Sequence, residues 1–159
     1  MKIKRIIYTT LLIIWMIVIF MFSNQNGNTS KSTSDKVAST VVDTVEVVTK
    51  TEITDKEKKT FIEDTRFIIR KCAHFFLYFI LGILSYLTLS SYGISKGLII
   101  YSILLCFIYS ISDEIHQLFS GGRSFKILDI FIDTTASITG IMLCFGFNKI
   151  ILKSIKLNN

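Results

Sequence analysis

The chain has 159 residues, half of them hydrophobic, and a mean hydropathy of +0.54. That is too apolar for an ordinary soluble domain, and the apolar residues come in blocks. The net charge of +6 does not point to nucleic acid, because the basic residues that flank the blocks are placed as membrane anchors rather than as a patch.

A helix needs about 20 mostly apolar residues to cross the ~30 Å hydrocarbon core. Four spans are predicted, at about 5–22, 73–92, 97–117 and 127–148, in one all-α membrane domain covering residues 1–159. The first follows Lys2, Lys4 and Arg5, a charged opening that a secretory leader would share. Its uncharged run from Ile6 to Phe22 exceeds the roughly 7–15 residues of a leader's apolar region, and no A-x-A-like site follows, so it reads as an uncleaved span. Residues 23–34, rich in Ser, Thr and Asn, read as a loop. Val37, Val41, Val45 and Val48 fall on one helical face between Asp35 and Lys50. Thr54-x-x-Glu57 matches a capping box. Phe61, Thr65, Ile68 and Cys72 then make an apolar stripe, with Lys58, Glu63, Asp64 and Arg66 elsewhere. This predicts an amphipathic helix that feeds into the second span, either lying on the outer membrane surface or packing on the bundle's outer mouth.

The even number of spans puts both termini on one side, together with the turn that carries Lys96. Lys149, Lys153 and Lys156 follow the last span. The positive-inside rule makes this side the cytoplasm and the segment 23–72 extracytoplasmic. That segment carries nine Lys/Arg against eight Asp/Glu, a near balance that opposes the assignment only weakly. Cys72, Cys106 and Cys144 lie in or beside the spans without metal-type spacing and read as small hydrophobes. There is no proline.

Span order brings the intramembrane polar residues into one layer near the extracytoplasmic mouth. Ionisable groups at the bilayer centre cost roughly 2.5–3.5 kcal/mol each, so they mark a functional site by default. The second span begins with Arg70, Lys71 and His74, of which Arg70 and His74 share a face. The third ends with Asp113-Glu114-Ile115-His116-Gln117. Asp113, His116 and Gln117 share a face there, with Glu114 about 100° away. Ser120-Gly121-Gly122-Arg123-Ser124 makes a glycine turn. The fourth span opens with Asp129 and Asp133 at i and i+4. Each residue also has a plain structural reading. Asp129 suits a helix N-terminus, Arg70 and Lys71 can snorkel, and His74 can be a hydrogen-bonded core residue. Gly82 and Ala136-x-x-x-Gly140 suit close helix packing, and Tyr78, Tyr86, Tyr101 and Tyr109 suit packing or interface positions. Asp113, Glu114, His116 and Asp133 in one layer resist that reading as a group.

Arg70-Lys71-x-Ala73-His74-Phe75-x-x-Tyr78 resembles the opening motif of VanZ-like membrane proteins. Asp113-Glu114-x-His116-Gln117-x-Phe119, followed by Gly122-Arg123 and Asp129-x-x-x-Asp133, resembles their central motif. Ser23-x-Gln25 is similar to the motif that ends their first span. Gly121 stands where proline is common, and Ala136 where glycine is common. The resemblance implies a four-span bacterial cytoplasmic-membrane protein linked to susceptibility to the glycopeptide teicoplanin in Gram-positive organisms. It does not supply a reaction.

Three readings of the layer stay open. In the first, an enzyme acts on a lipid or lipid-linked envelope precursor. Asp113, Glu114, His116 and His74 are its catalytic candidates, and Arg70, Lys71, Gln117, Arg123, Asp129 and Asp133 bind the ligand. The imidazoles and carboxylates are of the types that hold a divalent metal, although no H-E-x-x-H signature is present. In the second, the same residues bind or transport an amphipathic anion without chemistry. In the third, Arg70 and Arg123 pair with Asp113 and Asp133 in a structural ion-pair network.

Overall fold

A computed structural model describes residues 2–23, 39–44, 48, 54–119 and 125–157. Four helices follow one another: α1 (Lys2–Ser23), α2 (Asp55–Ser91), α3 (Leu98–Phe119) and α4 (Ile127–Leu157). All four are long and apolar enough to cross a membrane. In lipid, a helix satisfies every backbone N–H and C=O within the segment, which is why these apolar runs become helices despite their many β-branched residues.

The capping box predicted at the start of α2 is present, with the Glu57 carboxylate accepting the Thr54 backbone N–H at 3.0 Å. From that cap the helix runs 37 residues without a break. The expected amphipathic helix and second span are therefore a single rod of ~55 Å. The segment expected before the second span thus runs into it as one continuous helix. The physical reason is the absence of any breaker: no proline occurs, and Gly82 lies deep in the helix at a packed contact. Within the valine stretch, residues 39–44 and 48 are helical. Val42 is buried and Val41 exposed, so the buried face is not the expected one; the rest of that stretch lies outside the described residues.

Antiparallel packing is pinned at both ends. Arg5 Nε donates to Ser91 O at 2.9 Å and Thr88 Oγ1 to Tyr8 O at 3.1 Å, tying the start of α1 to the end of α2. Deeper in, Trp15 Nε1 donates to Leu77 O at 2.9 Å, and Tyr109 OH on α3 donates to Met16 O at 2.5 Å. Helix α2 is central and packs against each of the other three, whereas α1 and α4 do not meet among the described residues. Leu12, Ile19, Tyr78, Leu81, Cys106, Tyr109 and Ala136 form the core.

Helices in lipid gain little from hydrophobicity alone, so close backbone approach matters more. The α2–α4 seam achieves it as the small residues predicted. A Cβ on Gly82 would stand 2.2 Å from Ser137 O, and one on Gly140 would stand 2.3 Å from Phe79 O. Ala136 is fully buried between them, and Ser137 Oγ donates across the seam to Tyr78 O at 3.1 Å. Of the cysteines only Cys106 is buried; Cys72 is exposed and Cys144 half-buried, and all three are free thiols. The turn from α2 to α3 uses Gly93 and Gly97 at φ of 85° and 73°, which other residues rarely adopt.

Candidate functional site

The fold brings the end of α1, the middle of α2, the end of α3 and the start of α4 to one level. Asp113, Asp133, Glu114 and Asp129 are all within 3 % of complete burial there. Four carboxylates so deeply buried need partners, and the helices supply them pair by pair.

Asp113 is held from α1 and from its own helix. Ser23 Oγ, at the last residue of α1, donates to Asp113 Oδ2 at 2.7 Å. Gln117 Nε2 donates to the same oxygen at 3.2 Å and to Ser23 Oγ at 3.3 Å. Tyr78 of α2 faces Asp113 with its hydroxyl. One turn further out, an Arg70 terminal nitrogen donates to Gln117 Oε1 at 3.4 Å.

Asp133 belongs to a second set. His74 Nδ1 stands 3.6 Å from Asp133 Oδ1, and Ser110 Oγ donates to Asp133 Oδ2 at 3.3 Å. Above it, Lys71 forms an ion pair with Asp129. Glu114 points to the mouth of α4, where the Lys126 backbone N–H donates to Glu114 Oε2 at 2.8 Å. Asp129 is thus in the first turn of its helix, as expected, and also engaged by a cation.

His116 is placed apart from these sets. It is half-buried against α1, its ring 4.5 Å from that of Phe20 and tilted by 43°. With Met16, Ile17, Phe20, Met21 and Tyr109 it lines an open groove of about 370 Å³ between α1 and α3. So the face shared by Asp113, His116 and Gln117 in a helical projection divides. Asp113 and Gln117 turn into the bundle, and His116 turns to the groove. Arg123 lies outside the described residues.

Two features bear on chemistry. Among the described residues, no group of three His, Cys, Asp or Glu side chains comes together to hold a metal ion. His74 meets Asp133 as a pair, without a third such donor among the described residues. Second, the buried polar atoms of this layer are incompletely matched: His74 Nδ1 and Asp133 Oδ1 face each other only at 3.6 Å, and Arg70 Nε and Glu114 Oε1 make no hydrogen bond. Most proteins leave very few such atoms.

Ser23, Tyr78, Ser110 and the Lys126 backbone are members of the layer that charge patterning did not single out. Tyr78 had a signal, since Arg70, His74 and Tyr78 recur at i, i+4, i+8 on one face of α2. Ser110 and Lys126 had none, because each acts across a helix–helix contact that only the packed bundle defines.

The profile of the VanZ/LLP1 family matches residues 8–152. No curated protein and no solved structure matches the chain. The match runs from the first turns of α1 to the last turns of α4, so it takes in every helix that contributes to the polar layer: the chain is a multi-pass membrane protein that belongs to the VanZ/LLP1 family.

Proposed function

We propose that the protein acts at the extracytoplasmic side of the bacterial cytoplasmic membrane on the polar headgroup of a lipid or lipid-linked envelope precursor, with both termini in the cytoplasm. The observation that carries this reading is the gathering of four almost fully buried carboxylates with His74, Arg70 and Lys71 at one level, where Arg70 Nε and Glu114 Oε1 make no hydrogen bond. A purely structural ion-pair network is selected to satisfy its members, because each unsatisfied buried group costs about 1–3 kcal/mol. A site that completes its hydrogen bonds with a ligand leaves them open.

In this reading His74 and Asp133 form the acid–base pair, and Asp113, held by Ser23 and Gln117, orients the headgroup. Arg70 and Lys71 sit at the mouth, where a phosphate would approach. The groove beside His116 accommodates the apolar part of the ligand on the lipid side of the bundle. VanZ-like proteins are associated with teicoplanin susceptibility, which agrees with an envelope substrate. A non-catalytic version, binding the anion alone, draws support from Arg70, whose described contact is to the neutral Gln117 amide rather than to a carboxylate.

The test is expression of wild type, Asp113→Asn, His74→Ala and His116→Ala in a susceptible Gram-positive host. Teicoplanin and vancomycin susceptibility would be measured alongside the lipid and precursor profile and the amount of folded protein. The expected result is that wild type shifts teicoplanin susceptibility and the precursor profile, and that well-folded Asp113→Asn and His74→Ala do neither. Loss of effect only in proportion to loss of folded protein would establish the structural network instead. An effect on susceptibility with an unchanged precursor profile would establish binding without chemistry.

A further inference from the structure

The opposite end of the bundle is basic. Lys2, Lys4, Arg5, Lys96, Lys149, Lys153 and Lys156 all belong to it by their position on the helices and the α2–α3 turn. Among the described residues of the four helices, no Asp or Glu does: Asp55, Glu57, Glu63 and Asp64 lie in the first three turns of α2, and Asp113, Glu114, Asp129 and Asp133 in the polar layer. Lys2, Lys4, Arg5, Lys96 and Lys149 therefore lie on the termini side, with no Asp or Glu of the four helices at that end. No helix carboxylate balances this charge, so an anion bound at this end would meet it unopposed.

At this end α2, α3 and α4 leave a crevice of about 920 Å³, near the top of the ~300–1,000 Å³ range of small-molecule sites. Its lining is chiefly apolar, with Ile94, Leu98 and Phe145, and includes Tyr86, which is buried to within 3 %. Polar groups complete it. Asn148 Nδ2 donates to the Tyr86 hydroxyl at 3.4 Å, and Lys149 borders the space next to Asn148. Tyr86 is five residues from the end of α2, about 8 Å along the axis, so the crevice lies at headgroup and upper acyl-chain depth.

We propose that this crevice binds one anionic phospholipid of the leaflet on the termini side, with its phosphate on Lys149 and an acyl chain against Tyr86, Ile94 and Phe145. A free phosphate would leave the apolar walls uncovered. A second copy of this chain would bring another basic end against the first. An anionic lipid matches both the walls and the charge, and each Lys or Arg near such a surface strengthens attraction appreciably.

The full chain, purified in detergent, would be examined by native mass spectrometry with phosphatidylglycerol or phosphatidylcholine added. The expected result is one phosphatidylglycerol retained in preference to phosphatidylcholine. Lys149→Gln should lower that retention about fivefold, the effect of one surface lysine. Ile94→Trp, which fills the crevice, should lower retention of both lipids. Equal retention of the two lipids by wild type would overturn the proposal, and so would unchanged phosphatidylglycerol retention in Lys149→Gln. Displacement by glycerol phosphate at matching concentration would also overturn it, identifying a headgroup-only site. The wild-type comparison and the competition decide the matter even if a variant does not fold.

Discussion

Ser23 has one of the two smallest side chains in the polar layer, yet it donates to Asp113 and accepts from Gln117, so one hydroxyl fixes two neighbours. Ser23→Ala removes that hydroxyl and leaves a fully buried carboxylate short of a donor. Stability should fall by about 1–3 kcal/mol, read as a lower melting temperature in detergent. Lys71 and Asp129 present a sharper case. Asp129 is buried to within 3 %, and Lys71→Ala would leave its charge alone in a low-dielectric setting. The expected loss is about 3–5 kcal/mol, and Lys71→Ala combined with Asp129→Ala should cost less than Lys71→Ala by itself. A double-mutant cycle in thermal denaturation checks this, since two partners in contact deviate from additivity. These pairings show why part of the site could be read in advance. Residue types and spans placed Arg70, His74, Asp113 and Asp133 at one level. The direction each takes around its helix axis depends on neighbours hundreds of atoms away, which is why His116 parted from Asp113.

At the scale of elements, the α2–α4 seam makes two predictions of opposite sign. Gly140→Ala would drive a methyl group into Phe79 O, where backbone cannot yield cheaply. It should lower stability by about 1–3 kcal/mol, the usual cost of overpacking. Gly146, on the same helix, has nothing within 4 Å of an added Cβ. Gly146→Ala should therefore be neutral or raise stability by up to about 1 kcal/mol, because glycine is a poor helix residue. Melting temperatures of the two variants, measured side by side, decide whether close approach is the cause. The small residues at 82, 136 and 140 announced this seam, because in lipid they have few other uses. Continuity of α2 was less legible. Its first half carries charge on most turns and its second half almost none, so composition suggests two elements. Only the absence of Pro and Gly between Thr54 and Leu81 argues for one.

At the scale of the whole molecule, the structure separates charge by end. On the four helices the carboxylates lie in the polar layer and the first turns of α2, and Lys2, Lys4, Arg5, Lys96 and Lys149 lie at the other end. Green fluorescent protein fused after Asn159 should fluoresce if the termini face the cytoplasm. Alkaline phosphatase inserted between Ser23 and Thr54 should then be active, and the reverse pattern would invert the assignment. The four-helix membrane architecture was legible because hydropathy alone demands it, whereas the closed state of the carboxylates was not, because burial follows from packing. One property of α2 has a mechanical consequence. Lys71, His74 and Arg70 are all carried on this single unbroken helix, and their partners Asp129, Asp133 and Gln117 all stand on others. Such a helix behaves as a key with three teeth. A slide of one helical turn, about 5.4 Å, would disengage all three contacts together, so a displacement of its first turns would be felt at the carboxylates as one event rather than three.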